Sequence, residues 1–70
     1  MKDLTAELQT VYNTSDLTEK KEAMYKLINA SHAKALTKKQ AIATVAKMTT
    51  SVMIDKFATN YMFSGEGMKV

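Results

Sequence analysis

Asp16 and Glu19 are the carboxylates with a patterned spacing, and paired carboxylates in a cleft are a common device for moving protons. The same Asp-x-x-Glu spacing ahead of an apolar run is also a helix-start signature, in which the first side chain caps the helix and the second reaches back. Capping accounts for both residues. His32 is the one histidine, with no acid in the twenty residues that follow it and no cysteine anywhere in the chain. It lacks the orienting partner that a general base needs, so it reads as a surface or boundary residue late in a helix. Gly65 and Gly67 are the two glycines and both lie near the end, which leaves no glycine-rich loop to cradle a phosphate. Without cysteine there is no thiolate ligand set and no disulfide. The residues therefore point away from catalysis, metal and cofactor, and toward binding.

Two groups of residues are equipped for binding. The first is basic: Lys26, Lys34, Lys38, Lys39 and Lys47 stand in a stretch, residues 23–54, that contains no acid. Such a stretch suits contact with nucleic-acid phosphates, a sequence-independent and salt-sensitive interaction. All ten basic residues are lysine, a hydrated point charge without the rigid fork that reads bases, and no aromatic residues interleave with them for stacking. A lysine-rich, solvated elbow that keeps the protein in solution explains the same pattern. The second group is apolar: Val52, Met53, Ile54, Phe57, Tyr61, Met62 and Phe63 crowd more bulk into twelve residues than one face of a short helix buries. Methionine adapts to irregular surfaces and aromatic residues dominate contact hot spots, so this block is a candidate interface for another protein or a second copy. It is equally the natural core of a small domain, which needs its large residues inside.

The elements that position these groups are helices. Proline is absent, and alanine, lysine, leucine, glutamate and methionine, all good helix formers, are abundant. No stretch alternates apolar and polar residues between turn signals, so no strand is expected. Leu4, Leu8, Val11 and Tyr12 share one face of a first helix over about 4–12, with Asp3 as its cap. Asp16 opens a second, about 17–35, whose inward face is Leu17, Met24, Leu27, Ile28 and Ala35, with Glu22 and Lys26 as an i, i+4 ion pair. Thr37-Lys38-Lys39-Gln40 reads as the next start: Thr37 caps, Gln40 reaches back and Leu36 staples onto Ala41. The third helix, about 38–49, is lined by Ala41, Ile42, Val45, Ala46, Met48 and Val52. Beyond it the apolar stripe loses phase, and Ile54, Phe57, Ala58 and Tyr61 begin a fresh one. The pattern places a break at Thr49-Thr50-Ser51 and a fourth helix over about 52–63. The alternative is one bent or unbroken helix from 38 to 63, apolar nearly all round at its far end and in need of a partner to cover it.

The expected fold is thus an all-α bundle of three or four short helices, a single domain over 1–63 with a flexible tail at 64–70. Seventy residues bury only about 60% of the unfolded surface, so such a chain gains from self-association or a partner. Charge is uneven: residues 1–22 carry three lysines against five acids, and residues 23–54 carry five lysines against none. Acids near the amino terminus interrupt any signal-peptide core and no apolar run exceeds three residues, so a cytoplasmic protein without a membrane segment is expected.

The run Lys26-Leu27-Ile28-Asn29-Ala30 through Ala35-Leu36-Thr37-Lys38-Lys39-Gln40-Ala41 resembles the helical hairpin of HU-type histone-like proteins over about twenty residues. The turn glycine of that family is missing, as are the β-saddle and the arms that grip DNA, so the resemblance implies a hairpin and not DNA bending. The composition, lysine-rich without cysteine or proline, and the ending Ala58-Thr59-Asn60-Tyr61-Met62-Phe63-Ser64-Gly65-Glu66-Gly67-Met68-Lys69-Val70 are similar in style to short accessory proteins of large T-even-type tailed bacteriophages. That likeness implies binding to host or viral machinery in a host cytoplasm.

Overall fold

The computed structural model describes residues 4–63 and shows four helices: α1 Thr5–Asn13, α2 Leu17–Ala30, α3 Ala35–Ala46 and α4 Ser51–Phe63. There is no strand among the described residues. The proposed cap Asp3 and the tail 64–70 lie outside them. Leu4 occupies the cap position of α1 without a side-chain bond, its carbonyl taking the Leu8 amide at 2.9 Å. Asp16 caps α2 as its spacing requires, accepting from the Glu19 amide at 3.0 Å.

The middle of the chain departs from the sequence expectation. Helix α2 stops at Ala30, about five residues early, because Ser31 turns its hydroxyl back onto the Ile28 carbonyl at 2.6 Å while its amide takes the same carbonyl at 3.1 Å. A serine hydroxyl offers the backbone an alternative to the next helical bond. With the chain turned there, Lys34 becomes the extended residue ahead of α3, and its carbonyl receives the Lys38 amide at 2.9 Å. Thr37 is therefore inside the first turn and is not a cap. Leu36 is 67% exposed and does not staple onto Ala41. Ala35, expected on the inner face of α2, is the exposed first residue of α3.

The break between α3 and α4 is where the loss of phase places it. The Lys47 and Met48 amides tighten onto Thr44 and Val45 carbonyls three residues back, and Thr50 Oγ1 then caps α4 by accepting from the Met53 amide at 3.3 Å. The helices run up and down in sequence, as short connections dictate. Helix α2 is central: α1 and α3 lie antiparallel along it, and α4 returns alongside α2 and α1, barely touching α3. The core is built from all four helices, with Val11, Met24, Leu27, Ile28, Val45, Ile54 and Ala58 fully buried at its centre. Tyr12, expected to face inward on α1, is exposed.

Candidate functional site

Helix α4 divides the apolar block by face. Ile54, Ala58, Tyr61 and Met62 are buried, and Phe57 is half-buried against them. Phe57 and Tyr61, one turn apart, stack with centroids 5.9 Å apart. The Tyr61 hydroxyl donates to Ser31 Oγ at 2.7 Å, since that oxygen spends its own proton on the Ile28 carbonyl. Ile54, Tyr61 and Met62, three of the expected interface residues, are thus core residues of the single chain. Val52, Met53 and Phe63 are not: they are 59%, 46% and 69% exposed. At 100° per residue Val52, Lys56, Thr59 and Phe63 fall within roughly 60° of one another, on the side opposite Ile54, Ala58 and Tyr61. The outward face of α4 therefore carries large apolar groups at both ends, about 16 Å apart along the axis. Between them is a shallow depression lined by Asp55, Lys56, Thr59 and Asn60.

Three polar contacts seat α4, and none was evident from the sequence patterning. Lys20 is buried, its ammonium donating to Asp55 Oδ1 at 2.7 Å and to the Val11 carbonyl at 2.8 Å. Tyr12 and Thr59 share a hydroxyl–hydroxyl bond, in which Tyr12 donates because Thr59 Oγ1 already donates to the Asp55 carbonyl. The third is the Tyr61–Ser31 bond. The sequence did carry one signal: Lys20, Met24, Leu27 and Ser31 share the apolar stripe of α2, so a lysine and a serine stand where a core is expected. The expected Glu22–Lys26 ion pair does not form; the ion pair found among the described residues is Lys20–Asp55.

The lysines of the middle segment are scattered. Lys26 stands on a groove of about 550 Å³ between α1 and α2, among Glu7, Glu19 and Glu22. Lys38 and Lys39 line a separate groove with Asn29, Ala35 and Ile42. Lys34 and Lys47 flank α3 at opposite ends, about 20 Å apart. Lys38 is already engaged, donating to the Asn29 carbonyl at the end of α2 at 3.0 Å. The same device recurs twice: Lys20 serves the Val11 carbonyl of α1, and Lys21 the Ala46 carbonyl of α3 at 2.9 Å. Helices α1, α2 and α3 have no basic residue in their own last turns, and each takes a lysine from a neighbour instead. An ammonium at a helix carboxy terminus satisfies an orphan carbonyl and meets the negative end of the dipole.

His32 is exposed, and no group of three His, Asp or Glu side chains among the described residues is arranged to hold a metal ion. No described helix is long and apolar enough to cross a membrane. No protein-family model, no curated protein and no solved structure is detectably similar to this chain.

Proposed function

We propose that this chain is a non-enzymatic interaction protein that docks another protein on the exposed side of α4, through Val52 and Phe63 on its outward face and Met53 beside it. The observation that supports it is their exposure on a helix whose other side already completes the core. A small chain that leaves a phenylalanine, a valine and a methionine 46–69% exposed on one helix forgoes part of the about 1.5–3 kcal/mol that full burial of each is worth, which a partner restores. The reading covers an adaptor or regulator, including an accessory factor of the kind large tailed phages use in a host cytoplasm. Its test is retention of a partner by the tagged full-length chain, followed by titration of that partner once purified. Val52→Asp with Phe63→Asp is expected to abolish the titrated binding while helicity is unchanged, and Lys39→Ala with Lys47→Ala is expected to leave it intact. Undiminished binding by the first pair overturns the proposal.

A second reading, nonspecific contact with nucleic acid, is favoured by one observation: Lys34, Lys39 and Lys47 are exposed and make no ion pair among the described residues. Three phosphate contacts predict a slope of about −3 for log K against log salt on duplex DNA, reduced by about 0.9 for each lysine replaced by alanine. Anisotropy titration of a labelled duplex measures it, and absence of binding at low salt removes this reading.

A further inference from the structure

We infer that α4 exchanges between two copies of this chain, giving a dimer in which each fourth helix seats on the α1–α2 face of the other copy. The inference concerns the inward face of α4 and stands apart from the docking reading, which concerns the outward one. Three polar ties hold α4 to α1 and α2: Asp55 to Lys20, Thr59 to Tyr12, and Tyr61 to Ser31. Its packing follows the same division, with α3 almost untouched. If α4 moves away from its own α3, all of these contacts can be remade on a second copy without alteration. The interface area the dimer needs is the area the monomer already buries.

The elbow is built to permit the move. Residues 47–50 are Lys-Met-Thr-Thr, with neither glycine nor proline to enforce a turn. Lys47 already has right-handed helical dihedrals, φ −88° and ψ −8°, and the Lys47 and Met48 amides bond three residues back, one step from continuing the helix. Straightening joins α3 and α4 into one helix over 35–63, about 43 Å long, which carries α4 clear of its own core. What straightening gives up is the Thr50 cap on the Met53 amide and the Lys21 bond to the Ala46 carbonyl, and it gains continuous backbone bonds across the elbow. Exchange of an identical element costs little beyond the hinge and the loss of an independent molecule, so the balance is set by concentration and by the elbow.

Charge complementation tests the exchange directly. Lys20→Glu and Asp55→Lys each place like charges where α4 seats, so each chain alone is expected to be weakly folded. Unfolded, mixed in equal amounts and refolded together, they regain both pairs only across an exchanged dimer. There the helix with native Asp55 meets the body with native Lys20, and the two reversed positions meet on the other body. The expected result is a species of twice 7.8 kDa that melts above either variant alone. A mixture that melts as the two variants separately, or a wild-type chain that stays at 7.8 kDa after refolding at high concentration, overturns the proposal. Adding Ser51→Pro to both chains keeps the first turn of α4, where proline is tolerated, and forbids the continuous helix. Complementation should then be lost; its survival would show exchange without a continuous helix and would overturn the straightened elbow.

Discussion

At the scale of single residues, the contrast that matters is between two kinds of large side chain on one helix. Ile54 has no exposure and touches the centre of the core, whereas Phe63 is mostly in water. Ile54→Ala is expected to cost about 2–5 kcal/mol. A core of this size supplies only about 3–5 kcal/mol in all, so that variant should be largely unfolded at 25 °C by circular dichroism. Phe63→Ser should change stability by no more than about 0.5 kcal/mol. Equal effects would mean that α4 is not oriented as described. Lys20 yields a subtler contrast. Its ammonium is sequestered, while the Asp55 side chain is 37% exposed and partly hydrated. Asp55→Ala leaves a buried charge with only the Val11 carbonyl and should cost about 2 kcal/mol, below the ~3–5 of a fully buried pair. Lys20→Met keeps the apolar stem and releases Asp55 to water, so it should cost about 1 kcal/mol or less. Denaturant midpoints compare the two, and the reverse order would mean that the tie is not what holds this corner.

At the scale of elements, much was legible because local grammar and tertiary need agreed. Asp16 with Glu19 marks a helix start that nothing else in the fold contradicts, and the phase loss after Met48 marks a true break. The grammar misled at Thr37-Lys38-Lys39-Gln40, where a sound capping pattern lies inside a helix. What decided that boundary was Ser31, whose hydroxyl both ends α2 and receives Tyr61, thirty residues away. No local window contains that contact. The consequence is measurable: Asp16→Ala should cost about 0.5–2 kcal/mol, while Thr37→Ala should cost almost nothing. Thermal melts of the two variants decide it, and a loss at Thr37 as large as at Asp16 would restore it as a cap. The division of the apolar block was likewise out of reach. Periodicity separates Ile54, Ala58 and Tyr61 from Val52 and Phe63, but which face turns inward depends on where α1 and α2 stand.

At the scale of the whole molecule, several lysines serve as mortar, and one of them, Lys38, belongs to the set expected to meet phosphate. Lys20, Lys21 and Lys38 each close the carboxy terminus of a neighbouring helix, which links three helix ends that have no basic residue of their own. This leaves Lys34, Lys39 and Lys47 as exposed cations on and beside α3, and α4 as the helix with the most large apolar side chains left exposed, Val52, Met53 and Phe63. The account therefore rests on α4 having two working sides, one facing the core and one facing a partner. The most direct measurement is site-specific photocrosslinking in the cells that express the chain, with a benzophenone side chain placed in turn at positions 53, 63 and 39. The account predicts one discrete adduct from positions 53 and 63, absent from position 39 and lost when Val52→Asp is added. Equal adducts at all three positions, or none at 53 and 63, would contradict it.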